Sequence, residues 1–237
     1  MRQIYRRTEN AEDWRALLAK PETQWRDGFS AKLTAERWEG IEGLPPEIAD
    51  LLGTDPVLQL ALVEHKVPLP GGNTDSQCDV FALARADGRD IAMAVEAKVN
   101  EPFGPTLAEW LSPETPGKLT RLSAICSLLG LPDPQESPLD PLLRYQLFHR
   151  TAAAIVEAHR FHRPVAAMIV QSFAPDHRWY EDFSSFCALM GVNPVPGQSA
   201  ECELPCGTRL ILGWASSPVN PPKVLGLPPE PKGRASR

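Results

Sequence analysis

Three residues carry the chemistry this sequence offers: Asp79 and, seventeen positions later, the pair Glu96 and Lys98 in the tripeptide Glu96-Ala97-Lys98. Side chains alternate along a strand, so Glu96 and Lys98 point the same way, ~7 Å apart. Between them and Asp79 lies Asp87-Gly88, a two-residue hairpin signal. The hairpin folds the strand of Asp79 back against that of Glu96 and Lys98. Two carboxylates converging in this way make a hard-oxygen site suited to Mg2+, or to Mn2+ in its place. Such an ion takes a few carboxylates plus waters and phosphate oxygens. A lysine beside them can hold or deprotonate an attacking water, or offset charge on a phosphoryl transition state. The same residues allow a plainer reading. Glu96 and Lys98 would then be an ion pair on the solvated face of a hairpin, worth ~0–1 kcal/mol. Asp79 would be a charge that protects an edge strand.

The elements that must position these residues follow from periodicity. Gln77 to Arg85 and Asp90 to Asn100 alternate as strands, the second with Ile91, Met93, Val95, Ala97 and Val99 on its apolar face. Before them, Asp55 to Leu62 reads as a helical apolar run, Val63 to Leu69 as extended, and Pro70-Gly71-Gly72-Asn73 as a turn. After them come helical stretches at Thr106 to Leu111 and Lys118 to Leu129, and a proline-rich linker from Pro132 to Pro141. Leu142 to Phe161 is the clearest helix, with Leu147, Thr151, Ala154, Ile155 and Ala158 along one side. On that helix Gln146, His149, Arg150, Ala153 and Glu157 share about 100° of arc. They could face a phosphate or simply solvent. Val165 to Phe173 reads as a buried strand, Trp179 to Met190 as a helix whose aromatics pack in the core, and Thr208 to Trp214 as a late strand paired with Glu201 to Leu204. The first fifty residues read as short helices starting near Asn10, Ser30 and Pro45-Pro46, and show no chemistry of their own.

Asp79, the Glu96-Ala97-Lys98 tripeptide and this element order resemble the PD-(D/E)XK nuclease-like superfamily. Its core runs helix, three-stranded meander, helix, strand, with the Asp on the second strand and the Glu-x-Lys on the third. The stretches HKVPLPGG, VEAKVNEPFGPT, RYQLFHRTA and SFAPDHRWYEDF look like an uncharacterised bacterial family of that type, from about Leu51 to Trp214. The resemblance implies an α/β fold of the α+β type: a restriction-endonuclease-like core with a mixed central sheet flanked by helices. Residues 1–50 would be a helical extension packed on it, residues 51–217 the nuclease-like domain, and residues 218–237 a flexible Pro-rich, basic tail. It further implies Asp79 and Glu96 as metal ligands, helped by the Ala97 carbonyl, with Glu64 as an extra ligand. Lys98 would assist the nucleophile, and Gln146 would be the helix glutamine of the motif. One departure is Cys78, which stands where the motif has proline.

Composition narrows the function classes. A net charge of −6 over 237 residues excludes a broadly basic nucleic-acid coat, though not a local basic groove. Five scattered cysteines read as reduced cytoplasmic thiols, and the lone Cys202/Cys206 pair lacks partners at zinc-finger spacing. No segment approaches eighteen uninterrupted apolar residues, so no membrane span is expected. The 25 prolines imply short elements joined by stiff loops. The reading these features favour is a Mg2+-dependent phosphodiesterase acting on nucleic acid through metal-activated water. The alternative is a non-catalytic descendant that binds nucleic acid or protein; nothing in the sequence excludes a homodimer. A transition-metal site built on His149, His159, His162 and His177 lacks a carboxylate partner at motif spacing.

Overall fold

The computed structural model describes residues 8–219. The basic tail expected from residue 218 falls almost wholly outside them. Four short helices come first: α1 (Glu12–Arg15), α2 (Pro21–Gln24), α3 (Ser30–Glu39) and α4 (Pro46–Leu52). Three strands follow, β1 (Val57–Val67), β2 (Ser76–Ala86) and β3 (Arg89–Lys98). Then come α5 (Leu107–Leu111), α6 (Pro116–Leu129), α7 (Tyr145–Arg160), β4 (Val165–Ser172), α8 (Tyr180–Leu189), β5 (Ser199–Glu203) and β6 (Arg209–Ser216).

The strands form one mixed sheet in the order β1-β2-β3-β4-β6-β5. β1, β2 and β3 make an antiparallel meander, while β3–β4 and β4–β6 are parallel. A parallel neighbour requires a crossover, and α7 supplies it between β3 and β4. The protein is therefore a mixed α/β fold with helices on both faces of the sheet. Among the described residues no helix is long and apolar enough to cross a membrane.

The hairpin at Asp87-Gly88 forms as its residue types demand. Both residues have positive φ, 51° and 71°, the conformation a two-residue turn of this hand needs. β3 presents Ile91, Met93 and Val95 to one face and Ala92 and Ala94 to the other. Those small residues, with Ala166 on β4, let the alanine-rich middle of α7 (Ala152, Ala153, Ala154) lie close on the sheet. Leu147, Phe148 and Ile155 are fully buried there, each contributing ~1.5–3 kcal/mol of hydrophobic stabilisation. On the opposite face Trp14, Trp38, Ile48, Leu51 and Leu52 of the N-terminal helices share a core with Val80, Met93 and Ile169.

Three element expectations are corrected. Asp55 to Leu62 is not helical: Val57 onward belongs to β1, which runs to Val67 with a register shift between Leu58 and Leu60. Its Leu-Gln-Leu-Ala-Leu run has helical propensity, but pairing with β2 from Val57↔Arg85 to Val67↔Ser76 overrides it. The helix that precedes the meander is instead α4, ended by Gly53. The long helix starts at Tyr145, because Arg144 is extended and bridged to Thr106. The first helix, expected from Ala11 to Ala19 after Asn10, is only Glu12–Arg15, with Asn10 Oδ1 accepting from the Glu12 N–H at 3.0 Å.

Candidate active site at the end of the meander

The β2–β3 ladder holds its register down to Val80↔Val95 and stops. One more step of the same register sets Asp79 against Glu96. On the other side of β2, the pairs Val63↔Val80 and His65↔Cys78 bracket a step that sets Glu64 against Asp79. Three carboxylates on three adjacent strands thus fall in one row where the sheet opens. Glu64 has a φ of 53°, a left-handed kink in β1 at that row.

Asp79 itself holds the opening. The Ala97 N–H, left without a ladder partner where β2 parts from β3, donates to Asp79 Oδ2 at 2.7 Å. Beyond this point β3 continues against β4 alone, with Glu96↔Val170 and Lys98↔Ser172. The side chain of Ala97 turns to the other face and packs with Leu33 and Phe173.

Glu96 and Lys98 are not a surface pair: each is only 3% exposed. Lys98 Nζ donates to Glu96 Oε1 at 2.6 Å, and Gln146 Nε2 donates to the same oxygen at 2.8 Å. Arg150 Nε donates to Glu96 Oε2 at 2.5 Å. Burial pushes the Glu96 carboxyl up, but Arg150 and Lys98 outweigh it and hold it at about 2. Lys98 also lies over the Phe103 ring, 5.2 Å from its centroid.

The other two carboxylates behave in the opposite way. Burial, then the negative charge of Glu96 and Glu64, pushes Asp79 well above the usual carboxylate range. Glu64 is pushed up to about 7 by burial, against a hydrogen bond donated by Gln77 Nε2. These groups are short of positive charge. Glu64, Asp79, Glu96, Lys98, Gln146 and Arg150 all border one cavity of about 390 Å3. Glu101 borders it as well, so four carboxylates and two cations there sum to a formal −2.

Among the described residues, no three His, Cys, Asp or Glu side chains gather tightly enough to enclose a metal ion. Mg2+ does not need such a cage, since it keeps waters and uses one or two carboxylates with substrate phosphates. Asp79 Oδ1 and Glu64 Oε1 accept no hydrogen bond among the described residues. Two hard oxygens in a cation-poor pocket fit a divalent ion. Glu96, expected as a principal ligand, is instead occupied by three donors.

Gln146, His149 and Arg150 were expected to face either a phosphate or solvent. Gln146 contacts Glu96. Arg150 turns to Glu96, and His149 sits in a neighbouring cavity, 2.8 Å from Ser76 Oγ through Nδ1. Two contributions escaped the sequence. Gln77 holds Glu64, a role its position two residues before Asp79 could have signalled. Gln24 and Ser30 of the N-terminal helices border the site cavity, in a region that showed no chemical motif.

A family model matches residues 7–219. The chain belongs to DUF6946, a family described as a domain of unknown function. No curated protein and no solved structure matches it. The DUF6946 match takes in all six strands and every residue of the site just described.

Proposed function

We propose that the protein is a metal-dependent phosphodiesterase that hydrolyses nucleic acid. The observation that carries this reading is the row of Glu64, Asp79 and Glu96 with Lys98 beside it at the open end of a β-meander. The order α4, β1-β2-β3, α7, β4, with α5 and α6 between β3 and α7, is the order that the resemblance to the PD-(D/E)XK nuclease-like superfamily implies, and it supports the same reading. Asp79 and Glu64 would hold a divalent cation, which when bound supplies charge stabilisation and an acidified water. Asp79 is oriented by the Ala97 N–H. Lys98, buried and held by Glu96, offers its ammonium to the water or to the phosphoryl oxygens. Gln146 and Arg150 fix Glu96 so that Lys98 keeps one position.

The test is cleavage of labelled single- and double-stranded DNA and RNA in Mg2+ or Mn2+, comparing the wild type with Asp79→Asn and Lys98→Ala. Metal-dependent cleavage lost in both variants, with folding intact, supports the reading. Cleavage by both variants at the wild-type rate removes it.

One observation favours a second reading, a nuclease-fold protein that binds without cutting. Both oxygens of Glu96 are occupied by Arg150, Lys98 and Gln146, so this carboxylate is already neutralised without a metal. Nucleic-acid binding with no cleavage by any divalent ion would select it.

A further inference from the structure

A second cavity of about 410 Å3 adjoins the first, and Gln77 and Arg150 border both. Its lining differs in kind. The Trp110 ring stacks on Tyr145 with centroids 3.7 Å apart and planes 11° from parallel. The His149 ring leans against Tyr145 at 4.9 Å. Lys118 stands 5.9 Å from the Trp110 centroid, its Nζ donating to the Pro113 carbonyl at 2.7 Å. Lys118, Arg121 and Arg150 line it against the single carboxylate of Asp75. In a chain of net charge −6, this is a local basic pocket.

The pocket is rigidly framed. Arg121 donates to the carbonyls of Leu69, Pro70, Gly72 and Thr74, fixing the loop between β1 and β2. Gly71 in that loop has a φ of 82°, and a Cβ there would lie 2.4 Å from the Gly117 carbonyl oxygen. His149 is held through Nδ1, which lies 2.8 Å from Ser76 Oγ and 3.3 Å from Arg150 Nη1. Burial and the Arg150 charge hold this imidazole well below its ordinary range, so it stays neutral at pH 7. No hydrogen bond engages its Nε2 among the described residues.

We propose that this second cavity is a nucleotide pocket that receives one unstacked base and its phosphate next to the cleavage site, making single-stranded or unpaired nucleic acid the substrate. The inference rests on the proposed function and deepens it. The volume falls within the range of small-molecule sites. A base still stacked and paired in a duplex cannot enter such a cavity, whereas an unpaired base can. Trp110, half-exposed with the buried Tyr145 stacked behind it, offers a sequence-tolerant surface for a base. Lys118 supplies charge for a phosphate. Gln77 and Arg150, shared by both cavities, make the strand's route from pocket to carboxylates short.

The test measures binding by the full chain in EDTA, so that catalysis plays no part. A single-stranded oligonucleotide of about eight residues, its blunt duplex and a nucleoside monophosphate are compared by fluorescence anisotropy and calorimetry. The single strand should bind at least about tenfold more tightly than the duplex and than the monophosphate. Trp110→Ala and the milder Lys118→Ala should each weaken it by about tenfold, from the usual worth of one stacked base or phosphate contact. Equal affinity for duplex, equal affinity for the free monophosphate, or wild-type affinity in both pocket variants would overturn the inference. Single-strand binding lost in the pocket variants but unaccompanied by any metal-dependent cleavage leaves the pocket standing and removes the hydrolytic reading. Cleavage that ignores both pocket substitutions does the reverse.

Discussion

Glu64 and Asp79 stand opposite each other across the β1–β2 ladder, at the one step left between Val63↔Val80 and His65↔Cys78. Neither carboxyl has a salt bridge among the described residues, and both are pushed upward, Glu64 to about 7. A pair of half-buried acids facing each other across a sheet is unfavourable for folding unless a cation joins them. That cost, placed beside a buried lysine, is why the row reads as a site.

Stability should report this cost directly. The Glu64 carboxyl is raised from 4.5 in the unfolded chain to about 7 in the folded protein. The folded state therefore holds the extra proton between those values, and stability falls as pH rises from 4.5 through 7. For a half-buried group the loss should be about 1–2 kcal/mol. Thermal unfolding in EDTA should show Glu64→Gln more stable than the wild type at pH 8 and no more stable at pH 4.5.

Glu96 has the opposite sign. Its carboxyl lies at about 2, so its contribution is fully present above 4.5 and is lost as pH falls toward 2. Glu96→Ala would leave Arg150 and Lys98 buried without a counter-charge. Urea unfolding should show a loss of about 3–5 kcal/mol, the usual consequence of breaking a buried ion pair from one side. An effect below 1 kcal/mol would mean that the two cations relax to solvent.

Asp79→Asn should separate chemistry from folding. The amide oxygen can still accept from the Ala97 N–H, so stability should stay within about 1 kcal/mol of the wild type. Cleavage should fall below detection, read from a gel assay and an unfolding curve on the same sample.

Gly71→Ala tests the loop that frames the second cavity. A positive φ and a Cβ 2.4 Å from the Gly117 carbonyl oxygen both oppose the alanine. The expected cost is about 1–3 kcal/mol in denaturant unfolding, with weaker single-strand binding.

The sheet's central hairpin was legible because Asp87-Gly88 and the alternation of Ile91, Met93 and Val95 are local signals. So were the late pair β5–β6 and the crossover helix α7. β1 was misread at its start although Leu58, Leu60 and Leu62 alternate with Gln59 and Ala61, because leucine and alanine favour helix, and pairing with β2 makes the run extended. The site was legible as far as strand parity goes: Glu96 and Lys98 share a face, and the turn brings Asp79 near. Long-range partners were not. Arg150 reaches Glu96 from 54 residues away, and Gln24 and Ser30 reach the cavity from the N-terminal helices. The Trp110–Tyr145 stack joins two helices across a proline-rich linker, which no single-sequence period encodes.

The most direct check is calorimetric titration of the metal-free protein with Mg2+ and Mn2+ near pH 7 in buffers of different ionisation enthalpy. Binding at millimolar or lower metal, with protons released from Glu64 and Asp79 and with both signals lost in the Asp79→Asn, Glu64→Gln double variant, is the expected result. A folded wild-type protein that takes up neither ion, or a double variant that binds as the wild type does, would contradict the account.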